Sequence, residues 1–193
     1  MYKRQIIIYT SDHGSHFKTR NTDSHLNGYD DYKRTGHDAA LHVPLVIAGG
    51  PFTGGITVKE LVSTESIPKT ILSLAGVEVG DAMIGEKLLD VVQKKDNNRV
   101  EQVFAQISES RIGRVIRTPD YLYGVYAPGI NGGEKGASDF YADDYLYDLK
   151  EDPWQLNNVA ANPAYQAAKE DLRHRLLDWI EKAEGYRPKI ADQ

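Results

Sequence analysis

Residues 5–16 read Gln-Ile-Ile-Ile-Tyr-Thr-Ser-Asp-His-Gly-Ser-His, and this stretch decides the fold. Ile6, Ile7 and Ile8 are consecutive β-branched residues without polar alternation, which predicts a strand buried on both faces. The run stops at Asp12-His13-Gly14. Such a strand hands a carboxylate and an imidazole to a turn at its C-terminal end, where ligands bind in parallel α/β sheets. Carboxylate oxygens suit a hard cation, and an imidazole either ligates a metal or donates to an anion. An Asp capping a turn beside a His bonded to backbone is the plainer reading of the same pair.

Residues 14–36 are rich in Gly, Asn, Asp, Ser and Thr and read as a long loop, a length usually tied to function. The loop carries His16, Lys18, Arg20, His25, Lys33 and Arg34, many donors for a connector. A short helical turn is expected over 37–42. Val43-Pro44-Leu45-Val46-Ile47-Ala48 reads as a second buried strand, with Pro44 at its start where a missing N–H is tolerated. Residues 58–63 read as a strand or extended segment. A helix is expected over 66–75, with Pro68 in its first turn and Gly76 as its stop. The charged tract 80–99 marks a boundary between residues 1–95 and a subdomain of residues 100–193.

Beyond that boundary, 103–107, 113–117, 122–126 and 144–149 read as short strands of an antiparallel sheet. Asn162-Pro163 opens a helix as cap and first residue. Its apolar stripe is Tyr165, Ala168, Leu172, Leu176, Trp179 and Ala183, and Gly185 ends it. The tyrosines at 121, 123, 126, 141, 145 and 147 read as sheet packing in preference to a surface for stacking sugar rings. The expected class is therefore α/β: part of a mixed, mostly parallel sheet with flanking helices, plus a small antiparallel sheet covered by a C-terminal helix.

Composition narrows the chemistry. The 193 residues carry a net charge of −5 with no basic block, which argues against a nucleic-acid partner. No apolar run approaches the roughly 18 residues of a membrane span, and residues 1–4 lead into strand without a signal-peptide core. There is no cysteine, so disulfides, thiolate metal sites and a cysteine nucleophile are all excluded within this sequence. Lys33, Arg34, His37 and Asp38 form a second polar set. An ammonium there could stabilise charge building on a sulfuryl or phosphoryl group, and an imidazole could protonate a leaving oxygen.

Taken jointly, Thr10-Ser11-Asp12-His13-Gly14, Tyr32-Lys33 and His37-Asp38 leading into Val43-Pro44-Leu45-Val46-Ile47 resemble the sulfatase family of the alkaline phosphatase superfamily. The likeness continues through Val62-Ser63 and Ile67–Val77. It returns at Leu146-Tyr147-Asp148-Leu149, Asp152-Pro153 and Asn157-Asn158-Val159-Ala160, so it covers nearly the whole chain. It implies the C-terminal part of a type I sulfatase acting on a sulfated small molecule or carbohydrate. By the resemblance, Asp12 and His13 are ligands of one divalent cation, Ca2+ in most members, with His13 where others have Asn. Lys33 is the contact to sulfate oxygens, His37 a looser candidate for the proton donor, and Lys18, Arg20 and Asn21 candidates for facing the substrate. The family's formylglycine arises from a Cys/Ser-x-Pro-x-Arg motif. The nearest match here, Ser66-Ile67-Pro68-Lys69-Thr70, lacks the Arg and falls on an expected core helix. The resemblance therefore puts the nucleophile and about half the metal shell on a missing N-terminal half and implies an inactive isolated chain. Self-association through uncovered sheet surface is a further expectation, and a periplasmic or secreted location follows if the protein is like many bacterial members. A phosphoester or phosphonate hydrolase of the same superfamily, or a non-catalytic fragment, is the alternative.

Overall fold

A computed structural model describes residues 5–15, 33–80, 83–96, 98–108 and 111–192. They fall into two compact units, residues 1–11 with 44–103 and residues 12–43 with 104–193.

In the first unit, β1 (Ile7–Thr10) pairs with β2 (Leu45–Ala48). The pairing is antiparallel, with Thr10 opposite Leu45 and Ile7 opposite Ala48. Within the expected mixed, mostly parallel sheet, this described pair is an antiparallel one. The chain leaves and returns at the same end of the ribbon, which dictates opposite strand directions. Burial on both faces is corrected, because Ile7, Tyr9 and Val46 share one face and are 59%, 64% and 58% exposed. Helices α2 (Ser66–Leu74) and α3 (Leu88–Val92) complete this unit. Polar pins join them: the Leu88 N–H donates to Thr70 Oγ1 (2.9 Å) and the Glu86 N–H to Ser66 Oγ (3.0 Å). Arg99 adds a two-pronged pair with Glu86, its Nε 2.7 Å from one carboxylate oxygen and its Nη2 2.6 Å from the other. Ser66 is 1% exposed and already engaged, consistent with a core helix and not a nucleophile. Residues 58–63 form no strand.

The second unit is built on a mixed five-stranded sheet in the order β3-β4-β5-β6-β7. Its strands are β3 (Val103–Ile107), β4 (Gly113–Arg117), β5 (Tyr121–Tyr126), β6 (Phe140–Asp148) and β7 (Lys189–Ala191). β4, β5 and β6 are antiparallel neighbours, whereas β7 joins β6 in parallel. After a 3-10 turn (Pro163–Tyr165) begun by Asn162, whose side chain accepts the Ala164 N–H at 3.0 Å, α4 (Gln166–Glu184) covers one sheet face. α4 ends at Gly185 in the left-handed conformation.

Leu172, Leu176 and Ile180 pack there against Ile116, Tyr123, Tyr141 and Leu146, and Trp179 stacks on Phe104 at 6.1 Å. Ile180 and Lys169, not Ala183, thus complete the inward stripe. Two ion-pair systems seat the helix. Arg114, 1% exposed, forks onto Glu184 at 2.5 and 2.9 Å. Asp143 accepts from Lys169 and Arg173 at 3.0 Å each and from the Tyr123 hydroxyl, and both cations also reach Asp192 just past β7. The opposite face of the sheet gathers Ile107, Val115, Leu122, Tyr145 and Tyr147.

Candidate functional site

Asp12 and His13 open a segment tied into the second unit by backbone hydrogen bonds. The Gly14 N–H donates to the Ala40 carbonyl and the Ser15 N–H to the Ala39 carbonyl, both at 2.7 Å. The acceptors lie on α1 (Asp38–Leu41), the short helix five residues beyond Lys33. A Cβ at position 14 would meet the Ala39 oxygen at 2.2 Å, so only glycine allows the clasp. The glycine of Asp12-His13-Gly14 therefore joins two motifs that lie far apart in sequence.

α1 is anchored in turn. The Asp38 carboxylate meets Arg117 of β4 at 3.0 Å, and its N–H donates to the Gln155 side chain at 3.0 Å. Gln155 is a buried residue with a positive φ of 58°, a conformation disfavoured for a side chain of its size and held by its surroundings. Just before α1, Gly36 lies so close to the sheet that a Cβ would fall 2.2 Å from Val115 and 2.3 Å from the Tyr145 hydroxyl. Lys33 stands at the exposed end of this tightly packed turn.

His37 is 1% exposed, packed against the rings of Tyr145 and Tyr147 at 4.8 and 5.4 Å. Its Nδ1 lies 2.5 Å from Thr35 Oγ1 and its Nε2 3.1 Å from the Tyr147 hydroxyl. The ring is thus engaged at both nitrogens beneath the sheet, in the turn that carries Lys33.

The Asp12 and His13 side chains face solvent at 86% and 45% exposure, with Oδ2 and Nε2 3.7 Å apart. His13 Nδ1 is 2.7 Å from the Gly14 carbonyl oxygen. That oxygen only accepts, so Nδ1 carries a proton and Nε2 is the ring nitrogen placed for a metal. Carboxylate oxygen and imidazole nitrogen at this separation fit as part of the shell of one divalent cation. No group of three or more His, Cys, Asp or Glu suited to a metal occurs among the described residues. Lys18, Arg20 and Asn21 lie outside the described residues.

The same turn borders a small crevice of about 10 Å³ on the α1 side of the sheet, lined by Arg34, Gly36, Arg111, Gly113, Asp144 and Tyr145 among others. Asp144 is paired with Arg111, and burial outweighs that pairing to push its carboxyl up to about 7. Burial also raises the Tyr145 hydroxyl well above the ordinary tyrosine range. Sequence reasoning passed over Gly14, Gly36, Arg111 and Asp144. Only the glycines carried a signal, as residues inside polar motifs where the chain must approach another backbone.

The comparisons with known proteins agree with this geometry. A family profile described as Sulfatase matches residues 1–77. An ulvan-active sulfatase of Formosa agariphila is 30% identical over 205 residues, spanning 93% of this chain and 38% of its own length. The chain is thus similar to sulfatases over nearly its whole length. Among solved structures, a protein in complex with its substrate D-glucosamine-2-N,6-O-disulfate superposes with a TM-score of 0.69 at 21% identity, covering 96% of this chain and 36% of the other. A phosphonate monoester hydrolase of Silicibacter pomeroyi gives 0.71 at 20% identity, covering 94% and 35%. These likenesses establish an α/β sulfatase-like fold. The likeness to sulfatases points to a divalent cation. The chain spans 28% and 38% of the length of two curated sulfatase relatives. Among the described residues, no helix is long and apolar enough to cross a membrane.

Proposed function

We propose that this chain forms one wall of the active site of a sulfate-ester hydrolase acting on a sulfated carbohydrate. The observation that carries the reading is the clasp of Gly14 and Ser15 onto α1, which brings the Asp12-His13 pair and the turn of Lys33 into one compact unit. Lys33 holds the sulfate oxygens with a point charge and stabilises the negative charge that builds on them in the transition state. Asp12 and His13 would hold a divalent cation, read here as Ca2+, which would supply Lewis-acid polarisation of the sulfuryl group. Lys18, Arg20 and Asn21 are assigned to the substrate side of the same loop. His37 positions Lys33 through Thr35 and Tyr147. The nucleophile comes from outside residues 1–193, because neither a cysteine nor a Ser-x-Pro-x-Arg motif is present. The carbohydrate reading is supported by the ulvan-active sulfatase and by the neighbour bound to a disulfated glucosamine.

Replacing Lys33 by Ala in the full-length enzyme is expected to lower kcat/KM for an aryl sulfate by about 10²–10³-fold; unchanged turnover overturns the assignment. In the isolated chain, Asp12→Ala is expected to weaken Ca2+ binding measured by calorimetry, and equal affinity removes Asp12 from the metal shell. A second reading is phosphonate or phosphate ester hydrolysis, since a phosphonate hydrolase shares the fold with the same TM-score, 0.71, as a sulfatase from Bacteroides thetaiotaomicron. The ratio of aryl sulfate to aryl phosphonate turnover in the full-length enzyme decides between them.

A further inference from the structure

The two units differ in what they do with their apolar side chains. In the second, α4 seals one face of the sheet, and Ile116, Leu146, Leu176 and Ile180 are fully buried. In the first, among the described residues, Leu88 and Val91 are the buried large apolar side chains. Ile7, Tyr9, Val46, Ile56, Ile71 and Val77 of that unit are all exposed. A small unit stands only by burying most of its apolar surface. The first unit buries little of it, so its core is incomplete.

The ribbon of β1 and β2 locates the gap. Directly opposite residues of an antiparallel pair share a face. Tyr9 lies opposite Val46 and Ile7 opposite Ala48, and all four are exposed. They make one continuous apolar strip. A sheet face meant for water alternates polar with apolar residues along each strand. Here Ile6-Ile7-Ile8-Tyr9 and Leu45-Val46-Ile47-Ala48 are apolar at every position, the composition of strands covered on both sides. Neither strand contains a charged residue or a proline, the usual guards of an exposed sheet margin.

Length indicates what covers the strip. The chain spans 28% and 38% of two curated sulfatases and 36% and 35% of two solved neighbours that share its fold. Most of each of those chains has no counterpart in residues 1–193. A second copy of this chain brings only the same strip and no nucleophile.

We propose that the face of Ile7, Tyr9, Val46 and Ala48 is the seat of a sulfatase segment outside residues 1–193, which lays an apolar layer on the ribbon and completes the core of the first unit. The seat takes an apolar sheet or helix face, because none of its four side chains can pair with a charge. The identity of the occupant rests on the sulfate-ester reading, but the covering of the face does not.

The sequence has no cysteine, so one introduced thiol reports on one position. Tyr9→Cys, Val46→Cys and, as a control exposed on α4, Asp171→Cys are each made in the 193-residue chain and in the full-length protein. Their rates of reaction with a maleimide are compared at nanomolar concentration, where copies of the short chain do not cover one another. All three thiols are expected to react alike in the short chain. In the full-length protein Tyr9→Cys and Val46→Cys slow by at least about tenfold and Asp171→Cys does not. Amide hydrogen exchange over residues 7–10 and 45–48 of the unsubstituted proteins is expected to slow in the same way, so the outcome does not hang on the folding of a variant. Equal labelling and equal exchange in the two proteins overturn the proposal. So does protection that is already complete in the short chain, or that appears in the full-length protein only as its concentration rises, which assigns the face to a second copy. A covered face in a full-length protein that cleaves no sulfate ester removes the sulfatase reading and leaves the seat. An open face in an active sulfatase removes the seat alone.

Discussion

Gly14 shows how much one missing methyl group can decide. An added Cβ would stand 2.2 Å from a backbone oxygen, which cannot swing aside as a side-chain tip can. Gly14→Ala is expected to open the clasp, lower stability by about 1–3 kcal/mol in denaturant unfolding and weaken Ca2+ binding in step. A variant with wild-type stability and affinity would show that the clasp is dispensable. Asp144 titrates in an unusual direction. Its folded pKa, about 7, lies above the ordinary 3.8, so its contribution favours folding below that ordinary value and is lost as pH rises through about 7. Asp144→Asn should therefore flatten the stability profile between about pH 4 and 7, measured by urea unfolding across that range; an unchanged slope assigns the pH dependence elsewhere. The pair Asp12-His13 and the lysine at 33 were legible as chemistry from residue type and order alone. The place of His37 was not, because its neighbours Tyr145 and Tyr147 lie on β6, with Tyr147 110 residues further along the chain.

At the level of elements, regular pieces with local signals were readable and pieces held by distant partners were not. α4 announced itself by Asn162-Pro163 at one end and Gly185 at the other, and Asn162 caps its opening turn as expected. Removing that cap in Asn162→Ala should cost about 1 kcal/mol, read as a fall in Tm, whereas Leu176→Ala, at 0% exposure in the core, should cost about 2–5 kcal/mol. A smaller loss at Leu176 than at Asn162 would contradict the packing described. α3 stayed hidden in a charged tract because a five-residue helix has little propensity of its own; Thr70 and Lys87 hold its first turn from outside and before it. β7 has three residues, too few for any periodicity, and exists by pairing with Phe140–Ala142 of β6. The bulge at Asp144, where β6 shifts register against Gly124 and Val125 of β5, left no trace in composition, since it follows from the fit between two strands.

Across the whole chain, apolar runs set between turn residues revealed the α/β class and β3 to β6 of the second sheet, but not the direction in which β1 and β2 pair. Parallel order was inferred from an apolar run that reads alike in either arrangement. The ribbon's open face, with Ile7, Tyr9 and Val46 side by side, is the kind of surface that draws copies of a chain together. The isolated chain is expected to sediment above monomer mass at micromolar concentration, and Tyr9→Lys with Val46→Lys to return it toward monomer; a clean wild-type monomer refutes this. Asp192 carries a different kind of consequence. It is the acid that Lys169 and Arg173 share with buried Asp143, and those two cations hold its carboxyl down to about 2. In Asp192→Asn the two cations would face a single buried carboxylate, and the seam between α4 and β7 would lose the acid that ties both elements together.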